Sequence, residues 1–288
     1  MVERPPADHE QEHGGGGQLE RQGRRRVALH DTGIGIIRAR WEFEDRFEGP
    51  ELDARKWLPY YLPQWSSREQ AAARYEVGGG LRLLIEEDQR PWCPEWDGEL
   101  RVSSLQTGVF AGPVGSHLGQ QSAFHADAVV REAQPETRLY LPQYGRIETR
   151  LRAIDHPRAM VALWMIGFED EPERSGEICV VEIFGRDVLG PDRAKVGMGI
   201  HRFGDPALRE EWAQEELAID VREPHVYAAD WTPEHVAFSV DGEHVKTVEQ
   251  SPAYPMQLML GVYEFPGEEP VDYPHVFAVD YVRGSRHV

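Results

Sequence analysis

Ser175-Gly176-Glu177-Ile178-Cys179-Val180-Val181-Glu182-Ile183-Phe184-Gly185 sets two carboxylates in a run otherwise built of Ile, Val, Cys and Phe. A β-branched apolar run bounded by glycines reads as a buried strand. Carboxylates in such a strand are costly unless they are paired or used, so Glu177 and Glu182 call for a reason. Side chains alternate faces along a strand with period two, and an odd offset puts these two on opposite sides of a regular one. One inserted bulge residue near Val180-Val181 returns both to the same face, together with Cys179. A configuration-retaining glycosidase needs two such carboxyl groups roughly 5–5.5 Å apart, one as nucleophile and one as acid/base. The spacing alone carries little, because 50 of the 288 residues are Asp or Glu.

Around this stretch, from about residue 41, the pattern is one of short strands separated by turn signals. Leu81-Arg82-Leu83-Leu84-Ile85-Glu86 follows the turn Gly78-Gly79-Gly80. Arg146, Glu148, Arg150 and Arg152 alternate with Ile147, Thr149, Leu151 and Ala153, a half-exposed strand of period two. Val236, Phe238 and Val240 alternate likewise and run into Asp241-Gly242, a two-residue hairpin signal. Met256–Tyr263 and Val276–Val282 complete the set. Helical periodicity is confined to one or two turns near Pro206–Glu216, which would make Glu210, Glu211, Glu215 and Glu216 a solvated helix face. Many short strands and little helix predict an all-β sandwich with long loops.

Residues 1–40 are read as a tail and 41–288 as the sandwich domain. Residues 1–26 are rich in Gly, Glu and Arg, a composition that buries no core, and are expected to be disordered. Arg24–Arg26 imitates the charged start of an export signal, but the segment after it is broken by His30 and Asp31. No signal peptide or membrane span is read, so a cytoplasmic location is expected, with secretion by another route left open. The net charge of −19 argues against nucleic acid and anionic surfaces as partners, and against sulfated or carboxylated polysaccharides. A neutral polysaccharide or oligosaccharide is the natural guest, and the chain is expected to act as a monomer. Cys93 and Cys179, the only cysteines, match no zinc or redox spacing and are expected to be free thiols in a reducing compartment.

Two long connections are candidates for building a cleft. Residues 87–140 carry Trp92 and Trp96, whose rings either stack on sugar faces or pin the loop to the sandwich. Residues 186–224 carry His201 and Trp212, the latter grouped with the candidate sugar-binding residues.

Glu177-Ile178-Cys179-Val180-Val181-Glu182 resembles the bulged active-site strand Glu-Ile-Asp-x-x-Glu of glycoside hydrolase family 16, the laminarinase and lichenase group, with Cys179 in place of the central Asp. The resemblance extends over roughly residues 41–284. Phe43–Phe47 with Leu52-Asp53 and Trp57 is similar to the family's opening strand, and Tyr144–Arg150 and Ala162–Met165 to two of its inner strands. His225–Trp231 with Val240-Asp241-Gly242, and Val279–Arg283, resemble its closing segments. The family implies a concanavalin A-like jelly roll of two antiparallel sheets and a retaining endo-β-1,3(4)-glucanase-like activity. By the same resemblance Glu177 is the nucleophile, Glu182 the acid/base, and Trp164 and His201 line the cleft. No cofactor is required, although a structural Ca²⁺ is implied at Asp280, Arg46 and Gly79, with Asp280 the only charged ligand and main-chain oxygens at the other two.

Cys179 is the departure. A thiol is a weak donor, and two carboxylate neighbours push its pKa above the ordinary value of about 8.5. Reduced activity or a different substrate is therefore expected. Two further readings stand beside the glucanase: a sandwich that binds carbohydrate without cutting it, and a leaderless enzyme acting on a small intracellular glycoside.

Overall fold

The computed structural model describes residues 41–286, so the expectations for the tail before residue 41 lie outside the described residues. The chain first supplies β1 (Phe43–Asp45), β2 (Arg74–Val77), β3 (Leu81–Ile85), β4 (Arg101–Gln106) and two short pieces, β5 (Gly108–Val109) and β6 (Thr137–Arg138). Longer strands follow: β7 (Gly145–Arg152), β8 (Ala159–Gly167), β9 (Glu177–Phe184), β10 (Val188–Gly190) and β11 (Arg193–His201). The last third holds β12 (Glu211–Leu217), β13 (His225–Trp231), β14 (Val236–Val240), β15 (Glu243–Val248), β16 (Met256–Glu264) and β17 (His275–Ser285). One sheet runs β15-β14-β13-β7-β17-β3-β2, with β1 also on β17. The other runs β10-β11-β9-β8-β16-β4, with β12 on β11. All of these ladders are antiparallel. The expected two-sheet sandwich is what forms.

The core lies between the sheets. Leu81, Leu83, Ile85, Ile147, Leu151, Phe277 and Val279 come from the first sheet. Val161, Leu163, Met165, Ile178, Val180, Val181, Ile183, Leu258, Leu260 and Val262 come from the second. Burying each such side chain contributes about 1.5–3 kcal/mol. The alternation read for β7 holds: Ile147, Thr149 and Leu151 are buried. On its outer side, Arg146 pairs with Asp230 (2.5 Å) and Glu148 (3.0 Å), while Arg283 also reaches Glu148 (2.5 Å). The opening segment is anchored by Trp57, fully buried, whose indole N–H donates to Asp45 Oδ2 at 3.0 Å. Asp241 and Gly242 close the β14–β15 hairpin with φ of 51° and 83°, the left-handed pair that such a turn requires.

One expectation fails. Pro206–Glu216 holds no helix; residues 211–217 are the strand β12, paired to β11 with Trp212 opposite Gly199 and Gln214 opposite Gly197. The neighbouring strand leaves a row of backbone groups to be met, and pairing with it outweighs the weak local preference for a turn of helix. The glutamates then serve as charges along a sheet edge, where they discourage edge-to-edge association.

The bulge lies where the spacing places it. Against β8, Trp164 sits opposite Cys179 and Leu163 opposite Val181, so Val180 is the extra residue. Against β11, Gly199 faces Cys179 and Gly197 faces Glu182, two residues of β9 for one of its neighbour. Val180 and Val181 thus both point into the core, and Glu177, Cys179 and Glu182 all point away from it. Pairing the intact sequence without the bulge would force one half of β9 to turn its side chains over, whereas deleting Val180 leaves a regular strand in which Glu177, Cys179 and Glu182 still alternate onto one face. The deletion variant is therefore expected to keep the β-sheet signal in circular dichroism and its resistance to limited proteolysis, and Val180→Ala should fold at a cost of about 2 kcal/mol in chemical denaturation. A deletion variant that fails to fold while Val180→Ala folds would contradict the assignment of Val180 as the extra residue.

Candidate active site

The register defines the outer face of the second sheet row by row. Glu177 lies between Ile166 of β8 and His201 of β11. Cys179 lies between Trp164 and Gly199, and Glu182 between Ala162 and Gly197. Beyond β8, Gln257 stands opposite Ile166, Met259 opposite Trp164 and Gly261 opposite Ala162. Glu177, Cys179, Glu182, Trp164, His201 and Trp212 therefore meet on one face although they come from four strands.

The glycines of β11 are part of this design. A Cβ on Gly197 would lie 2.5 Å from the Trp212 ring, and one on Gly199, whose φ is +140°, would lie 2.3 Å from the Glu211 carbonyl oxygen. Their bareness lets Trp212 lie across the sheet beside the carboxylates. Trp212 also stacks on His201, with ring centroids 5.5 Å apart and planes at 21°. His201 Nδ1 is 2.5 Å from Glu210 Oε1, which fixes the ring.

Both glutamates are 7 % exposed. Burial pushes the Glu182 carboxyl from its ordinary 4.5 up to about 8, and neighbouring Glu177 adds to the shift. Burial also raises Glu177, opposed by His201. The Cys179 thiol donates to Glu177 Oε1 at 2.9 Å, and burial, reinforced by both glutamates, keeps it protonated. The pair is thus set for one proton shared unequally, with a neutral donor on Glu177.

Several residues that matter here were not singled out in the sequence. Tyr263 accepts the Trp164 indole N–H at 3.0 Å, and Gln257 Oε1 accepts from Gln120 Nε2 at 2.6 Å. Gln257 was legible in principle, being a polar residue at an outward position of an apolar strand. Glu169, buried and pushed by that burial to about 8, accepts the Gln121 N–H at 2.8 Å. Its setting, Glu169-Asp170-Glu171, looks like an ordinary solvated acidic run.

Trp92 resolves toward the loop-pinning alternative, while Trp96 is half-buried with a guanidinium over one face. Trp92 is 2 % exposed, donates to Asp97 Oδ2 at 2.8 Å and meets Tyr61 edge-on at 4.7 Å. Tyr61 in turn meets Tyr263, so Trp92 supports the site from behind and offers no face to a sugar. The guanidinium over Trp96 is that of Arg131, 4.8 Å from the ring centroid. Cys93 and Cys179 are both free, as expected. Asp280, Arg46 and Gly79 belong to the other sheet and its turns. Asp280 is the extra residue where β17 shifts register against β7, and its carboxylate is paired with Arg150. Gly79 lines the same surface hollow as Asp280, while Arg46 lines another and pairs with Glu44 at 2.9 Å. Asp280, already paired with a guanidinium, is the one carboxylate these three positions offer, and a cation that takes six to eight oxygens would have to draw the rest from main chain and water.

Two of the raised carboxyls, Glu182 and Glu169, make stability depend on pH in a defined direction. Below pH 4.5 Glu182 and Glu169 are protonated in both folded and unfolded chains. As pH rises, the unfolded chain ionises first, so the stability they contribute is lost on the way to about pH 8 and changes no further above it. Their contribution to melting temperature should fall between about pH 5 and 8, against a gain with rising pH below 6.5 from His275, whose pKa burial lowers to about 4, and Glu182→Gln and Glu169→Gln should each make the slope less negative in a calorimetric series. Unchanged slopes in both variants would contradict this account.

A family model described as glycosyl hydrolases family 16 matches residues 135–283, just over half of the 288 residues. No curated protein matches the chain. An endo-β-galactosidase from Clostridium perfringens that releases GlcNAcα1-4Gal is similar at 30 % identity with a TM-score of 0.74. The match covers 88 % of this chain, but the chain spans only 63 % of that structure. A laminarinase from Flavobacterium sp. gives 18 % identity and a TM-score of 0.58, covering 86 % of this chain and all of that one. The laminarinase catalytic domain from Thermotoga maritima gives 15 % and 0.60, covering 87 % and 99 %. At those identities the two laminarinases speak for the fold. No helix among the described residues is long and apolar enough to cross a membrane. Taken with the bulged strand and its two outward glutamates, the family match makes this chain a member of the family 16 glycosyl hydrolases.

Proposed function

We propose that the chain is an endo-acting, retaining β-glycosidase of neutral glycans, with Glu177 as nucleophile and Glu182 as acid/base. The observation that carries this reading is the bulge at Val180, which turns both buried glutamates to one face beside Trp164, His201 and Trp212. In the first step Glu177 attacks the anomeric carbon and the bond to the leaving oxygen breaks. Glu182, protonated because burial lifts its pKa to about 8, gives that oxygen its proton. In the second step ionised Glu182 takes a proton from water, whose oxygen displaces Glu177 from the sugar.

Cys179 orients Glu177 through the 2.9 Å thiol hydrogen bond and, staying protonated, takes no part in sharing the charge. Trp212, stacked on His201 and lying over Gly197, offers a ring beside the reactive pair for a sugar face. For the linkage, the 30 % identity to the C. perfringens endo-β-galactosidase across 88 % of this chain favours a β-galactosidic bond over the β-glucan bond expected from the sequence. The net charge of −19 supports a neutral guest.

Purified protein assayed on neutral galactose-containing glycans and on β-1,3- and β-1,3(1,4)-glucans should release new reducing ends from the former. Proton NMR of the first product should show retained configuration; inverted product would mean that a different pair does the chemistry. Glu182→Gln should lower kcat by roughly 10²–10⁴, and kcat/KM of the wild type should fall above about pH 8 as the acid ionises. Cys179→Asp should raise turnover and Cys179→Ala should lower it, each by about tenfold, the worth of roughly one hydrogen bond in the transition state. A chain that binds these glycans yet remains inert even as Cys179→Asp would be a binding protein.

A further inference from the structure

Among the described residues, Glu177, Cys179 and His201 form a cluster that the hydrolytic reading does not exhaust. One carboxylate oxygen, the thiol sulfur and one imidazole nitrogen lie within 4.8 Å of one another. The sulfur and the carboxylate are already 2.9 Å apart. With metal–ligand bonds of about 2.0–2.3 Å, the ligand atoms of a tetrahedral zinc site stand about 3.4 Å apart. Closing the remaining distance takes about an ångström of movement at the imidazole, the least buried of the three.

Two further features support metal binding. His201 Nδ1 is engaged by Glu210, which leaves Nε2 as the nitrogen for a ligand. A carboxylate behind an imidazole is the usual outer support of a histidine that binds metal, because it fixes the ring and raises its basicity. Bare Gly199 lies opposite Cys179, so β11 puts no side chain of its own beside the sulfur, while the space over Gly197, opposite Glu182, is taken by the Trp212 ring. Sulfur, nitrogen and oxygen donors together suit zinc and its neighbours and disfavour magnesium or calcium.

We propose that Glu177, Cys179 and His201 constitute a binding site for a thiophilic divalent cation of the zinc type, and that cation and glycan exclude one another there. On binding, the thiol proton that now bridges Cys179 and Glu177 leaves to solvent and the metal takes its place. Glu177 then spends its lone pairs on the metal and is no longer a nucleophile. Exclusion of the glycan rests on the hydrolase reading; metal binding does not.

Full-length protein titrated with Co²⁺ should show a thiolate-to-cobalt charge-transfer band in the near ultraviolet that Zn²⁺ abolishes. The band should be lost in Cys179→Ser and kept in Cys93→Ser, and His201→Gln should weaken Zn²⁺ binding at least tenfold in a chelator competition. Absence of the band in the wild type, or its survival in Cys179→Ser, overturns the site. Should Cys179→Ser fail to fold by circular dichroism, unchanged Zn²⁺ affinity in His201→Gln overturns it equally. On a glycan that the wild type cleaves, Zn²⁺ should inhibit competitively. Inhibition that is absent while the band is present overturns the mutual exclusion alone, and a protein that shows the band but cleaves no glycan removes the hydrolase reading and leaves the metal site standing.

Discussion

A single extra residue in β9 is the constraint on which the site depends. Paired without the bulge, this same sequence could place either Glu177 and Cys179 or Glu182 on the outer face, never all three. The bulge is held by neighbours on both sides. β8 keeps register through Trp164 and Leu163, and β11 through Gly197 and Gly199, so slipping the strand would disturb two ladders together. It is also held from below, since Val180 and Val181 both contribute apolar surface to the core. The same residues that make the site chemically usable therefore make it conformationally rigid, which is what preorganised catalysis requires.

Around that constraint the molecule divides its charges. The acidic groups with raised pKa values, Glu169, Glu177 and Glu182, are buried on or beside the outer face of one sheet. The outer face of the other sheet carries arginines paired with carboxylates, with Glu148 buried between Arg146, Arg283 and the Tyr281 hydroxyl. The first set is kept uncompensated and so poised to exchange protons. The second is compensated and so structural.

Much of this was legible in the chain. The sandwich followed from alternation in β7 and β14 and from the Asp241-Gly242 turn. The bulge followed from an odd offset between two glutamates in an apolar strand. What was not legible depended on partners distant in sequence. β12 reads locally as an acidic, faintly helical stretch, and only the unpaired edge of β11 makes it a strand. Trp92 is a plausible sugar platform by residue type, and only Tyr61 and Asp97 show that its surface is taken. Glu169 is one acid among three in a row until burial singles it out. Local patterns tell which face a residue takes; they do not tell what covers that face.

The two glycines of β11 have one more consequence. Beside Cys179 and Glu182, β11 contributes only main chain, with His201 and the Trp212 ring next to it, and main chain offers evolution nothing to vary without moving the strand itself. Gly199, with its positive φ and a carbonyl 2.3 Å from where a Cβ would sit, is closed to substitution, and Gly197 accepts a side chain only if Trp212 gives way. Divergence toward new sugars must therefore enter from the opposite flank and the long loops, through residues such as Gln257 and its partner Gln120. One side of the cleft acts as a fixed jaw, and the history of specificity in such a scaffold would be written on the other.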